Sequence, residues 1–297
     1  MKDMKIQGVI YAIIAALSFG FMPIFATYAY KSGSNAIMVV FLRNIFTMIY
    51  LFIILKIQGV SFKVDRSLFI QLGICGVVGS TGTALTLFIS YEYISVGLAT
   101  ILHFIYPVVV TVVSFFMFNE ELNRKKILAL ILSIVGVYIL VGFNEISIHP
   151  IGIILAITSG LFYSFYILQI GNSRLKELDS RLLIMYISFF TAISTAIYGV
   201  MTDMLICTVN ISFVLSMIAL VIVTTTALIT VTKAVCIIGS TNTSILGTLE
   251  PITSIVLGFL LLHEAITINT VLGSILILFS VYGIISGNMA DKTKIEN

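Results

Sequence analysis

The feature that most constrains this sequence is a series of long apolar runs that recurs along the whole chain. Short charged or turn-forming stretches separate the runs, and each run is close to the roughly 20 residues that a helix needs to cross a bilayer. We predict helices at 8–29, 36–57, 68–90, 95–118, 126–142, 151–169, 181–201, 212–234, 240–262 and 268–287. Transmembrane strands would alternate in polarity, and these runs do not. The predicted fold class is therefore an all-α polytopic membrane protein with ten transmembrane helices.

The composition agrees with a chain whose solvent is largely lipid. Of the 297 residues, 59% are hydrophobic and 10% are charged, against roughly 45–50% and about 25% in soluble domains. The formal net charge of +3 is too small to indicate nucleic-acid binding. The three cysteines are widely spaced and form no metal-binding pattern. We therefore predict no metal site, no cofactor and no nucleic-acid partner.

The basic residues predict the orientation of the helices. With a cytoplasmic N-terminus, 14 of the 16 Lys and Arg residues fall on the cytoplasmic side, Lys31 falls outside, and Arg43 lies within the second helix. An excess of Lys and Arg in cytoplasmic loops is the usual signature of orientation. We therefore predict a multi-pass protein of the plasma membrane with both termini in the cytoplasm.

The two halves of the chain repeat each other at a constant offset of 144 residues. Without a gap, 11 of 44 positions are identical between 98–141 and 242–285, and Pro107 coincides with Pro251. Apolar composition inflates matches among Ile and Leu, but a coincident proline in a single register is harder to obtain by chance. We infer an internal repeat of five helices.

This repeat predicts the organisation of the chain. We place a first repeat at 1–145, a second repeat at 146–290 and a short cytoplasmic tail at 291–297. Because five is odd, the second repeat enters the membrane upside down, and the basic run at 124–126 has no basic counterpart in the equivalent loop of the second repeat. Inverted repeats of this kind are a transporter architecture with the substrate site near the midplane.

Several motifs then point to a known family. They are the Tyr106-Pro107 and Glu250-Pro251 steps, the Asn119-Glu120 and His263-Glu264 pairs, and the Val137-Tyr138 and Val281-Tyr282 pairs that end the following helices. With these motifs the chain resembles the drug/metabolite transporter superfamily, specifically bacterial proteins built from two EamA-type repeats. The resemblance implies export or exchange of amino acids, related metabolites or drugs. The Trp-Gly step frequent in helix 1 of that family is Phe19-Gly20 here, which removes one possible aromatic lid and leaves the topology unaffected.

Ionisable side chains inside the predicted spans are the strongest pointers to a substrate site, because burying one costs at least about 2.5 kcal/mol. These residues are Arg43, His103 and Glu250. Glu250 lies near the midplane, and its repeat counterpart is Tyr106. A carboxylate, a phenol and an imidazole around one cavity could bind an amine, and a proton could compete for the carboxylate. The alternative is that Glu250 caps an unpaired backbone group beside Pro251.

Other candidate site residues leave two or more roles open. Arg43 could clamp a substrate carboxylate, pair with Glu250, or extend to the outer interface. His103 could line the cavity or be satisfied by a backbone or hydroxyl partner. Tyr163 and Asn242 are candidate lining residues, and interhelical packing is the alternative for both.

Two pairs of residues occupy equivalent places in the repeats. Pro107 and Pro251 each remove a helical hydrogen bond, so we predict hinges there, with a passive bend as the alternative. Glu120 and Glu264 end helices 4 and 9. We expect them to bind amides of the following helix or to set the turn, and a gate is the alternative.

These features predict a secondary transporter that moves a small amino-acid-like metabolite by alternating access, through export or exchange. Its partners would be the substrate, the lipid bilayer and protons as coupling ion. A gradient would drive it, because the chain has no GxxxxGK[ST] nucleotide-binding loop. The alternative substrate is a lipophilic organic cation or drug.

Two other classes of protein fit the sequence less well. A membrane enzyme lacks support because HExxH and GxSxG are absent, and the one SxxK match, at 173–176, falls in a predicted loop. An assembly or lipid-handling protein is disfavoured by short loops, which expose little surface to soluble partners.

Overall fold

The computed structural model describes residues 2–90, 93–94, 96–120, 122–141, 149–262 and 267–290, and this part of the chain is helical throughout apart from short connections. Its first half contains α1 (Lys2–Lys31), α2 (Ala36–Ile57), α3 (Arg66–Ser90), α4 (Val96–His103), α5 (Tyr106–Phe118) and α6 (Arg124–Val141). Its second half contains α7 (Pro150–Asn172), α8 (Ser180–Met201), α9 (Ile211–Ile238), α10 (Ser240–Leu246), α11 (Leu249–Leu262) and α12 (Ile268–Ala290). Within α3 the stretch Cys75–Thr81 is π-helical, and the 3₁₀ turn Arg174–Glu177 follows α7. The predicted all-α fold is confirmed.

Seven helical stretches in the described residues are long and apolar enough to cross a membrane. They are α1, α2, α3, α7, α8, α9 and the combined stretch Ser240–Leu261 of α10 and α11. Two shorter apolar helices are α5 and the central part of α12, Val271–Ile285. These lengths support a membrane-spanning protein, and the count of ten spans stays a prediction.

Five of the described helices begin at a side chain that accepts a hydrogen bond from their own first turn. These capping residues are Asn35 for α2, Asp65 for α3, Asn123 for α6, Asp179 for α8 and Asn210 for α9. Such caps satisfy backbone N–H groups that lack a helical partner. The polar residue between two apolar runs is therefore what ends one span and starts the next, which explains why the predicted starts of these helices fall within two residues of the observed ones.

Helices of one half of the chain pack chiefly against helices of the other half. α1 packs on α9, and their repeat counterparts α7 and α3 pack on each other in the same way; α2 packs on α8, and α6 packs on α12. A Cβ added to Gly8 would lie 2.5 Å from Ile238, and one added to Gly152 would lie 2.8 Å from Ile94. Both pairs are related by the offset of 144 residues, so the sequence repeat is also a repeat of contacts. The proposed boundary at 145–146 and the tail lie outside the described residues.

The start of α1 and the end of α7 lie on the same face of the protein. Lys5, Lys126 and Asn172 line one cavity there, and we call this side the N-terminal face. On the opposite side, the Asn35 side chain between α1 and α2 donates to the Met204 carbonyl at 2.8 Å. α1 and α7, the first helices of the two halves, therefore run in opposite directions.

Small and hydroxylated residues let the two halves approach closely. A Cβ on Gly76 of α3 would lie 2.7 Å from Cβ of Phe190 on α8. The Thr191 hydroxyl lies 3.3 Å from the Gly76 carbonyl oxygen, and the Thr47 and Thr225 hydroxyl oxygens are 3.1 Å apart. This pattern is typical of packing between membrane helices.

Candidate functional site

Two pairs of helices are interrupted near their middle, at equivalent positions of the repeat. α4 gives way to α5 at 104–105, and α10 gives way to α11 at 247–248. Pro107 and Pro251 fall in the first turns of α5 and α11, where a missing N–H costs no helical hydrogen bond. Each helix pair is thus interrupted just before its proline, and the predicted hinge role of Pro107 and Pro251 stays a prediction.

A small cavity of about 10 Å³ lies at these interruptions. Its lining comes from α1, α5, α7, α9, α10 and α11 and consists of Ala12, Ala15, Ala16, Phe19, Tyr106, Tyr163, Ile167, Val231, Thr243, Ser244, Gly247 and Glu250. We call it the central cavity. It has room for about one water molecule, and it brings together three of the predicted site residues, Glu250, Tyr106 and Tyr163.

The Glu250 carboxylate occupies the first turn of α11. A carboxylate is favoured there because the N-terminal end of a helix carries a partial positive charge. The Glu250 backbone N–H donates to the Gly247 carbonyl at 3.0 Å. Among the described residues, no backbone N–H or side chain donates a hydrogen bond to the carboxylate itself, so the capping alternative finds no support. The carboxylate is left facing the central cavity.

An aromatic cluster lies beside this carboxylate, and two of its rings, those of Tyr106 and Tyr163, line the central cavity with it. The rings of Tyr106 and Tyr163 meet edge to face with centroids 4.8 Å apart, and Tyr166 stacks on Tyr163 at 5.8 Å. The Tyr106 hydroxyl donates to the Ser244 carbonyl at 3.3 Å. Ring faces attract cations, so the cluster and the carboxylate together favour a positively charged group.

His103 packs behind this cluster and is not among the residues that line the central cavity. Its ring lies 5.7 Å from that of Tyr106 and 5.6 Å from that of Tyr163. Its Nδ1 lies 2.9 Å from the Ser159 hydroxyl, which itself donates to the Ala156 carbonyl at 2.6 Å. Because a hydroxyl has one proton to donate, His103 donates through Nδ1. This hydroxyl partner matches the structural alternative for His103.

Arg43 lies away from the central cavity, on α2. Its Nη1 is 3.8 Å from the sulfur of Met22, and it interacts electrostatically with Tyr30 of α1. The Nε atom is buried without a hydrogen-bond partner in the described part of the chain. The ion pairs of the described residues do not include one between Arg43 and Glu250, so that alternative for Arg43 is not what the structure contains.

Asn242 lines a second and larger cavity, which opens on the N-terminal face and has a volume of about 390 Å³. We call it the vestibule. Its lining is Lys5, Phe118, Glu120, Lys126, Gly171, Asn172, Ile237, Ile238, Gly239, Ser240 and Asn242. Glu120 pairs here with Lys126 at 3.1 Å. Its repeat counterpart Glu264 lies outside the described residues.

Several residues around the central cavity were not among the predicted ones. Thr243 and Ser244 of α10 line it, as do Ala12, Ala15 and Ala16 of α1. A signal was present in the sequence, since α10 is a run of polar residues within an otherwise apolar span. Alanines at these positions let α1 approach the broken helices closely, which is the usual role of small residues between membrane helices.

Comparison with known proteins agrees with this geometry. The EamA-like transporter family model matches residues 6–142 and 150–286, one copy in each half. A solved structure described as "Crystal structure of protein" superposes with a TM-score of 0.80 at 15% sequence identity, covering 93% of this chain and 96% of that chain. At such identity the likeness establishes the fold alone. Among curated proteins, none matches the sequence.

Proposed function

Because the chain belongs to the EamA-like transporter family, we propose that it is a secondary transporter moving a small amino-acid-like metabolite across the plasma membrane. The observation that carries this proposal is the placement of Glu250. Its carboxylate faces a cavity shared with Tyr106 and Tyr163, where broken helices of both halves meet. Transporters of inverted-repeat architecture bind substrate at such discontinuous helices near the midplane.

We propose ten spans arranged as two inverted repeats. Taking α4 with α5, and α10 with α11, as one span each gives five spans in each half. α6 has 18 residues, which at 1.5 Å per residue is about 27 Å, close to the hydrocarbon thickness. The opposite directions of α1 and α7 support the inversion. With the basic loops inside, both termini would lie in the cytoplasm.

In the proposed complex the substrate amine binds the Glu250 carboxylate against the rings of Tyr106 and Tyr163. A proton competes for the same carboxylate, which would couple transport to the proton gradient. Arg43 receives the substrate carboxylate or acts in gating, after the helices around it have moved. His103 supports the aromatic rings, and Asn242 lines the route between the vestibule and the central cavity.

The small volume of the central cavity supports alternating access. At about 10 Å³ it holds no amino acid, so substrate entry requires the halves to move apart on one side. Rocking of one repeat against the other is the usual motion in this architecture, with the interruptions at Pro107 and Pro251 as hinges. Export or exchange would then be driven by a gradient.

The test is counterflow of labelled solute in proteoliposomes that hold the purified full chain. Candidate amino acids, amines and drugs are first ranked by thermal shift. The Glu250→Gln variant keeps the side-chain shape and removes the charge, so we expect proton-driven flux to fall at least about tenfold. Glu177→Gln, in the loop after α7, is the matched control and should transport normally.

Two results would count against the proposal. Proton-driven flux in Glu250→Gln as strong as in the wild type would remove Glu250 from the mechanism. Recovery of a chemically altered product in place of the displaced solute would favour a membrane enzyme over a carrier.

One observation favours a lipophilic organic cation or drug as the alternative substrate. Such a cation needs the Glu250 carboxylate and the aromatic rings but no partner for a carboxylate, and Arg43 lies outside the central cavity. The effect of Arg43→Ala on two kinds of substrate separates these alternatives, as described in the Discussion.

A further inference from the structure

The vestibule and the central cavity are neighbours along α10. Asn242 lines the vestibule, and the next residue, Thr243, lines the central cavity. The vestibule, at about 390 Å³, lies within the volume range of small-molecule sites. The central cavity, at about 10 Å³, is too small for such a molecule. α10 therefore borders both cavities.

Glu120 fixes this part of α10 to the other half of the protein. It follows α5, and its Oε2 accepts a hydrogen bond from the Thr241 hydroxyl of α10 at 2.8 Å. Its Oε1 accepts one from Lys126 Nζ at 3.1 Å. The side chains of Glu120 and Lys126 are 24% and 17% exposed. Hydrogen bonds to a charged acceptor are stronger than neutral ones, and partial burial reduces their screening by salt.

A second bond holds α10 against α5 further inside the protein. The Tyr106 hydroxyl, at the start of α5, donates to the Ser244 carbonyl at 3.3 Å. The two bonds thus attach one face of a seven-residue helix to the opposite half. The bond through Tyr106 borders the central cavity, and the bond through Glu120 borders the vestibule.

The two partners of Glu120, Thr241 and Lys126, are not repeated at the equivalent positions of the other half. At the offset of 144 residues, the counterpart of Thr241 is Gly97, and that of Lys126 is Thr270. Neither replacement offers the same group, because glycine has no hydroxyl and threonine has no positive charge. Glutamate is retained at position 264, but the residues equivalent to Thr241 and Lys126 cannot form the same two bonds.

We propose that Glu120 is the latch of the N-terminal face, and that its bond to Thr241 holds α10 in the position that separates the vestibule from the central cavity. This inference rests on the proposed function in one respect, namely that relative movement of the halves gives substrate access. Release of the latch would let α10 move away from α5 and open the central cavity toward the N-terminal face.

The test measures access to the central cavity directly and requires no transport. In a full chain with Cys75, Cys207 and Cys236 replaced by alanine, Ser244→Cys places one thiol in the central cavity. A charged, membrane-impermeant methanethiosulfonate reagent is added on the N-terminal face of reconstituted protein, and the rate of thiol modification is measured. Thr241→Val removes the hydroxyl donor of the latch. Glu120→Gln keeps an oxygen acceptor but removes its charge and the ion pair with Lys126. We expect Thr241→Val to raise the rate about tenfold and Glu120→Gln to raise it by less.

Thr111→Val is the matched control, since the Thr111 hydroxyl bonds within α5 to the Pro107 carbonyl. With Thr111→Val, the rate of thiol modification should stay near that of the protein that carries Ser244→Cys and an intact bond between Glu120 and Thr241. Unchanged rates in Thr241→Val, or an equal rise in Thr111→Val, would overturn the proposal. If Glu120→Gln does not fold, the modification rate of Thr241→Val alone tests the proposal. A protein that shows the latch effect but no counterflow would retain the latch and lose the proposed transport function.

Discussion

The hydroxyl oxygen of Ser164 lies 3.3 Å from the backbone carbonyl oxygen of Tyr106. At the equivalent place in the other half, a Cβ added to Gly20 would lie 3.1 Å from the carbonyl oxygen of Glu250. Both members of each pair are related by the offset of 144 residues. The first helix of each half therefore contacts the broken helix of the other half at the residue that faces the central cavity. Close approach of these backbones positions Glu250 and Tyr106.

This contact predicts that Gly20→Ala is destabilising. The new Cβ would overlap the Cβ of Thr253, so α11 would have to move away from α1. Overpacking of this kind typically costs about 1–3 kcal/mol. We expect a lower midpoint of thermal unfolding for the purified protein in detergent, together with reduced counterflow.

Gly73→Ala is the control for this prediction. Its Cβ would lie 3.4 Å from the ring of Phe190, which is ordinary contact, so the midpoint should stay close to that of the wild type. Equal midpoints for the two variants would show that α1 and α11 do not depend on the small residue at Gly20.

Local signals in the sequence were sufficient to predict most of the helices. The prediction of 36–57 coincides with α2, Ala36–Ile57, because Asn35 caps its first turn and Gly59, with φ of +68°, follows its end. The repeat offset also predicted which helices are counterparts. Hydrophobic periodicity and helix capping depend on residues close together in the chain, so they can be recognised from a single sequence.

The lateral arrangement of the site could not be predicted in the same way. Asn242 and Glu250 lie in one predicted span, but eight residues of helix correspond to about 12 Å of depth, and the two residues border different cavities. The bond between Glu120 and Thr241 joins residues 121 positions apart. Arg43 was a candidate partner of Glu250 as another ionisable side chain within a predicted span, yet it lies against Met22 of α1. Such contacts depend on which helices are neighbours in the bundle. The pattern of polar and apolar residues along the chain does not determine this.

Tyr106→Phe should weaken substrate binding while leaving the fold intact. The variant loses the hydroxyl that donates to the Ser244 carbonyl and packs against Gly247 beside the central cavity. A buried hydrogen bond contributes roughly 0.5–1.5 kcal/mol, so loss of one that the hydroxyl makes to substrate should lower the apparent affinity in counterflow about two- to tenfold. Loss of the bond to the Ser244 carbonyl should lower the midpoint of thermal unfolding slightly.

Tyr50→Phe controls for loss of a phenol elsewhere, since Tyr50 is on α2 with half of its surface exposed. Its transport should match that of the wild type. If Tyr106→Phe binds substrate as well as Tyr50→Phe does, the Tyr106 hydroxyl takes no part in the site.

Arg43→Ala should separate the two proposed kinds of substrate. If Arg43 receives a carboxylate, the variant loses transport of an amino acid about tenfold but still transports the corresponding amine that lacks the carboxylate. Both fluxes are measured in the same proteoliposomes. Lys31→Ala, which removes a basic charge at the end of α1, is the control and should leave both fluxes unchanged. An equal loss for the two substrates would assign Arg43 to structure or gating, and no loss would favour the lipophilic cation.

The loop before α3 predicts an acid-dependent contribution to stability. The Asp65 carboxylate accepts from the Leu68 N–H at 2.8 Å and pairs with Arg174 at 2.7 Å. The first interaction, followed by the second, holds the pKa of Asp65 below its usual value.

In the unfolded chain the pKa of Asp65 is about 3.9. The contribution of this carboxylate to stability is therefore fully present above that pH, and it is lost as the pH falls through the lower pKa of Asp65 in the folded protein. Asn caps a helix as well as Asp does but does not titrate. Asp65→Asn should therefore lower the midpoint of thermal unfolding slightly at about pH 6, since the pair with Arg174 is half exposed and weak. The difference from wild type should become smaller at about pH 3. Asp203→Asn, in an exposed loop of the opposite face, is the control and should follow the wild type throughout. A constant offset for Asp65→Asn at both pH values would contradict the assignment.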